Sequence, residues 1–220
     1  MLTVELINNT IPRLQLQDTV SKALQLVNDY RVSHLPVVAD DIYLGLISED
    51  DLLDAEDEKL TIEVLQDDFL TAFVKENEHF LRAINICNQY NTSIVPIIGE
   101  NKEFIGVITT TDLLKSLGNF SGADEIGGLI VLEMERSQFS ISEISRIVES
   151  NDSTILHLNT IVHPQTGMLT ITIHLNKREI ATIVATFERY DYDVIYFFGN
   201  EKFENEIHSN YRHLMNYLDI

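Results

Sequence analysis

Two short stretches carry the side chains best suited to hold a small ligand: Ser48-Glu49-Asp50-Asp51 and Thr109-Thr110-Thr111-Asp112. Each sets a hydroxyl three residues ahead of a carboxylate, and each follows an apolar run opened by glycine, Gly45-Leu-Ile and Gly106-Val-Ile. At a helix start this spacing makes a capping box variant, the hydroxyl accepting a backbone N–H while the carboxylate reaches back. The same position offers free N–H groups and the positive end of a helix dipole, which suit phosphate. An aspartate one turn in can also accept the hydroxyls of a ribose. No glycine is followed by the Lys-Ser/Thr pair of a phosphate-cradling loop, so the chemistry expected is binding and not nucleotide hydrolysis.

The elements that position these residues are duplicated. Residues 19–38 align without gaps on 79–98, with Ala23/Ala83, Asn28/Asn88, Tyr30/Tyr90, Ser33/Ser93 and Pro36/Pro96 identical. Downstream the spacing grows from 60 to 61, which places one extra residue in the second turn between Pro96 and Gly106. Ala23, Leu24 and Val27 recur at helical spacing as Ala83, Ile84 and Cys87. Cys87 therefore occupies a core position as a small hydrophobe, and with no second cysteine the chain makes no internal disulfide. Each unit reads as helix, strand, turn, strand, helix.

Two units of this kind, each with a Leu/Val-Pro strand followed by Gly-h-Ile-Ser/Thr-x-x-Asp-Leu-Leu, resemble a tandem CBS-domain pair, two βαββα-type repeats over 1–60 and 61–120. The resemblance implies adenosyl ligands in clefts between repeats, with the aspartate on the ribose and strand residues around the proline lining the adenine pocket. Carried over by position, one cleft uses Thr109, Thr111 and Asp112 with Ile94, Val95 and Pro96. The other uses Ser48 and Asp51 with His34, Leu35 and Pro36, His34 serving as a phosphate or ribose contact or as a structural hydrogen-bonding group. The implied ligands are ATP, ADP, AMP or S-adenosylmethionine, with or without magnesium.

Charge separates the two clefts. Seven of the eleven residues from 48 to 58 are acidic, whereas the second motif begins with three threonines and runs on to Lys115. Carboxylate and phosphate a few ångströms apart repel by about a kcal/mol or more at intermediate dielectric, so the Thr109/Asp112 cleft is the better nucleotide site. The acids at 54–58 have the composition of a divalent-cation site and equally that of a solvated helix face. Across all 220 residues, 35 Asp and Glu against 15 Lys and Arg give a formal net charge of -20, which argues against nucleic acid and anionic membrane as partners. No apolar run approaches the roughly 18 to 20 residues of a membrane span, and the first residues lack a basic, then apolar, export pattern. A cytoplasmic location is expected.

After a glycine-rich connector at 121–127 the pattern changes to strand, helix, strand, strand, helix, strand over 128–199. Expected elements are strands 129–134, 154–162, 169–175 and 194–198 with helices 140–150 and 177–190. This βαββαβ order gives a ferredoxin-like sandwich, and the overall class is α+β. Following a CBS pair it resembles an ACT domain, and the whole arrangement resembles the acetoin-utilisation, AcuB-type family of stand-alone CBS-ACT regulatory proteins. Where ACT domains place the Asp and Gly that bind amino acids, this chain has Arg136 and Phe139, so self-association is the expected role. Leu129, Val131, Ile195 and Phe197 are expected to face outward.

A hairpin closing symmetrically about Pro164-Gln-Thr-Gly167 sets His157 opposite His174, with His163 on the same face. Such imidazoles are either a transition-metal site or polar positions on a covered sheet face. Residues 200–220 carry Phe203, Ile207, Tyr211, Leu214 and Leu218 near helical period, an amphipathic pattern. The expected function is a non-catalytic, homodimeric regulatory sensor of an adenosine-containing small molecule, acting on an unidentified regulated protein. The alternatives are a ligand-free adaptor that dimerises and binds a partner protein, and a metal-responsive module built on His157 and His174.

Overall fold

The computed structural model describes residues 1–199; the amphipathic pattern at 200–220 lies outside the described residues. The chain divides into two compact units between Leu117 and Gly118. In the first, helix α1 (Val20–Tyr30) starts where the Thr19 hydroxyl accepts the Lys22 N–H, and buries Val20, Ala23 and Val27. Strands β1 (His34–Ala39) and β2 (Ile42–Ser48) form an antiparallel hairpin leading into the short helix α2 (Glu49–Leu53). The second copy runs β3 (Val74–Lys75), α3 (Leu81–Tyr90), β4 (Ile94–Ile98), β5 (Phe104–Thr109) and α4 (Thr110–Ser121).

Duplication extends to detail. Arg31 and Asn91, the residues ending α1 and α3, share a left-handed backbone at φ 53°. Both hairpins carry a bulge at matching places, Val37/Val38 and Ile97/Ile98. The copies differ at their leading strand. β3 pairs parallel with β4, whereas in the first copy this strand shrinks to a single parallel bridge between Leu14 and Val37. One apolar core, including Val27, Leu35, Val37, Leu46, Val74, Ala83, Cys87, Val95 and Val107, serves both copies. Cys87 is buried as its match with Val27 implies; burial pushes its thiol pKa up, and the Thr92 hydroxyl only partly offsets this.

The copies also exchange segments. Residues 1–9 run along the second copy: Thr3 donates its N–H to the Glu78 carbonyl, and Asn8 donates to that of Val107 at 2.7 Å. In return, Leu70 and Leu46 exchange backbone hydrogen bonds at 2.8 and 2.9 Å, laying the inter-repeat segment on β2. These crossings explain the glycine that opens each motif. A Cβ on Gly106 would stand 2.7 Å from Ile7 Cγ2, and one on Gly45 would stand 2.7 Å from Phe69 Cβ.

The second unit contains β6 (Gly128–Met134), α5 (Ile141–Glu149), β7 (Ile155–Val162), β8 (Leu169–Leu175), α6 (Ala181–Arg189) and β9 (Asp193–Phe198). Its antiparallel sheet has the order β7-β8-β6-β9, the ferredoxin-like arrangement expected of this element order. One sheet face and the two helices enclose Ile130, Leu132, Ile144, Val148, Ile171, Ile173, Ile183 and Phe187.

Two local expectations need correction. The second helix begins at Ala181, not at 177, because the preceding residues serve elsewhere: the Lys177 ammonium donates to the carbonyls of Asn151 and Asp152, and Ile180 is fully buried. Phe197 faces inward, paired with Ile130 and only 5% exposed, because a register shift at Val131/Leu132 turns β9. Tyr196 and Phe198 are the exposed residues instead, edge to face at 5.6 Å, while Val131 is buried. No helix among the described residues is long and apolar enough to cross a membrane.

Candidate functional site

Asp112 sits in the first turn of α4 and is half-buried. Its Oδ2 accepts the Thr109 hydroxyl at 2.6 Å and the Asn8 side-chain amide at 3.0 Å. The Asp112 N–H donates in turn to the Thr109 hydroxyl at 3.1 Å, completing the capping interaction. Burial alone raises the carboxyl pKa, but bonds from Thr109 and Asn8 and the Lys115 ammonium outweigh it and hold the group below its ordinary value. Asp112 is thus an ionised acceptor, its Oδ2 taking both of these side-chain hydrogen bonds.

This carboxylate opens onto a cleft of about 470 Å³, lined by residues 5–10 of the crossing segment and by Asp112, Lys115 and Ser116. The volume lies within the roughly 300 to 1,000 Å³ usual for small-molecule sites. Asn8 is itself braced, its Oδ1 accepting the Thr10 N–H and hydroxyl at 2.9 and 2.6 Å. Ser116 donates its hydroxyl to the Asp112 carbonyl. Thr111 is exposed at the helix start and Ile94, Val95 and Pro96 are buried in β4; neither these four nor Thr109 are among the residues lining this cleft, which Thr109 reaches only through its hydrogen bond to Asp112.

The first motif closes on itself. Asp51 Oδ2 accepts both the Ser48 hydroxyl and, at 3.2 Å, the Ser48 N–H, and the Asp51 N–H returns to the Ser48 hydroxyl at 3.1 Å. Its helix, α2, has 5 residues against 12 in α4, so its aligned peptide dipoles are few, and Glu49 and Asp50 share the first turn with Asp51. Leu35 and Pro36 are buried in β1. His34 serves the seam between the copies: its Nδ1 lies 3.0 Å from the Ser33 hydroxyl and 3.4 Å from the Ser93 N–H, while the Ser33 N–H donates to the Ser93 hydroxyl at 2.9 Å. Burial lowers the His34 pKa below its ordinary value, and Asp51 and Asp50 counter this only in part.

In the second unit, His157 and His174 pair directly across β7 and β8. Phe120 stands edge-on to the His157 ring at 5.9 Å, and Gly127 packs against the largely buried His174. His163 lies six residues further along, about 20 Å away in an extended chain, and is exposed at the hairpin end. No group of three or more His, Cys, Asp or Glu with metal-binding placement occurs among the described residues, the acids at 54–58 included.

Residues 5–10 and Ser116 line the cleft but were missed by sequence spacing. Asn8 stands in the short polar run Asn8-Asn9-Thr10, which nothing in the linear order connects to Asp112.

Comparison with known proteins agrees with the duplicated architecture. The family model for the CBS domain matches residues 5–58 and again 63–119, together half of the chain. An uncharacterised protein of Methanocaldococcus jannaschii is 31% identical over 99 residues, 44% of this chain and 33% of that one. Inosine-5'-monophosphate dehydrogenase of the same organism is 32% identical over 100 residues, 44% of this chain and 20% of that one. The chain thus spans a third or less of the length of these curated relatives. Among solved structures, a CBS domain pair/ACT domain protein from Thermotoga maritima aligns with a TM-score of 0.49 at 18% identity, covering 55% of this chain and 98% of that one. With two matched copies forming one shared core, the chain belongs to the CBS domain family.

Proposed function

We propose that this protein is a non-catalytic, cytoplasmic regulatory sensor that binds an adenosine-containing small molecule in the Thr109/Asp112 cleft. The observation that carries this reading is the state of Asp112: an ionised carboxylate, braced from two sides through Oδ2, on a residue that lines a cleft of about 470 Å³. Such a group suits a sugar hydroxyl, which donates a charge-assisted hydrogen bond. Binding there acts on two parts of the chain at once, because the cleft is built from residues 5–10 and from α4. A ligand that prefers one arrangement of these two segments shifts the population toward it, and that shift is the regulatory output.

Self-association through the second unit, read as an ACT-like domain at 128–199, completes the proposal. Its support is the exposed apolar sheet face at Tyr196 and Phe198. Calorimetric titration with ATP, ADP, AMP and S-adenosylmethionine, each with and without magnesium, tests the ligand class. Heat from at least one is expected; none at millimolar concentration rejects it. Light scattering at micromolar protein should give twice the chain mass, and a monomer mass rejects the dimer.

A further inference from the structure

We infer, resting on the adenosyl reading above, that Glu5 limits the charge of the ligand, so that the cleft takes an adenosyl compound with no more than one phosphate. The residues lining the cleft include two carboxylates, Glu5 and Asp112, and one cation, Lys115. One ammonium near two carboxylates leaves the site net negative before any ligand enters. A monophosphate meets Lys115 and is balanced there; a triphosphate adds about two or more further negative charges that face Glu5 and Asp112 without a matching cation.

The start of α4 does not relieve this excess. Helix N-termini bind phosphate through their free N–H groups, yet two of those here are already used within the fold. Thr110 donates its N–H to the Ser93 carbonyl at 3.1 Å, and Asp112 donates its N–H to the Thr109 hydroxyl. Glu5 is held in place as well: its Oε2 accepts the Leu2 N–H at 3.0 Å in the first 3₁₀ turn, Thr3–Leu6. A glutamine at this position keeps an oxygen for that bond and removes only the charge.

The experiment measures dissociation constants of adenosine, AMP, ADP and ATP for the full chain, in chelator and at low ionic strength, for wild type, Glu5→Gln and Lys115→Gln. Wild type is expected to bind ATP about tenfold or more weakly than AMP. Glu5→Gln narrows that ratio about threefold or more, and Lys115→Gln widens it. ATP binding as tightly as AMP in wild type overturns the inference, as does a ratio that Glu5→Gln leaves unchanged, while the adenosyl reading stands. If none of the four compounds binds wild type at millimolar concentration, the adenosyl reading falls and this inference with it.

Discussion

The side-chain amide of Asn8 donates to the Asp112 carboxylate at 3.0 Å, joining residues 104 positions apart. The bond links the segment that opens the chain to the helix that closes the second CBS copy, and it sets Asp112 apart from Asp51. By the matching contacts of Ile7 with Gly106 and of Phe69 with Gly45, the counterpart of Asn8 beside Asp51 is Leu70, which has no side-chain donor.

Asn8→Ala removes that donor and leaves Thr109 as the sole side-chain hydrogen-bond donor to Asp112. The Asp112 pKa is expected to rise toward its ordinary value, and stability to fall by about 0.5–1.5 kcal/mol. Carboxyl-carbon NMR titration reads the first effect and urea denaturation the second. An unchanged Asp112 titration would show that the amide has no electrostatic role.

Gly106→Ala places a methyl group where Ile7 Cγ2 already lies, 2.7 Å away. Either the crossing segment lifts or β5 yields, and overpacking of this kind costs about 1–3 kcal/mol. The denaturation midpoint should fall, and ligand affinity should fall with it, because residues 5–10 line the cleft.

His34 makes stability depend on pH. Its folded pKa lies below the ordinary 6.5, so the unfolded chain takes up the proton more readily. The contribution of His34 is therefore fully present above about pH 6.5 and declines as pH falls through and below that value. His34→Asn keeps an acceptor for the Ser93 N–H but does not titrate. Unfolding free energies from pH 7.5 down to pH 5 should decline less steeply in the variant; parallel curves would contradict the assignment.

Periodicity and turn composition made much of this architecture legible in the sequence. The apolar spacing of α1 and α3, both capping motifs and the His157–His174 register all follow from local rules that act within a few residues. The failures occur where a local rule meets a distant constraint. Phe197 turned inward because a register shift against β6 resets the alternation of β9, and the residues after Lys177 stayed out of a helix because Ile180 is drawn into the core. The cleft was half legible: Thr109 and Asp112 announce themselves by spacing. Glu5 and Asn8 do not, since the exchange of segments that brings them there leaves only the unexplained glycines Gly45 and Gly106 as its trace.

The most direct test of the central claim is calorimetric titration of the full chain with AMP, in wild type, Asp112→Ala and Asp51→Ala. Wild type should bind, and Asp112→Ala should bind about tenfold or more weakly while keeping the wild-type circular dichroism, since a hydrogen bond to a charged group is worth about 1.5–3 kcal/mol. Asp51→Ala should bind nearly as wild type does. Binding unaffected by Asp112→Ala, or lost in Asp51→Ala, would contradict the account.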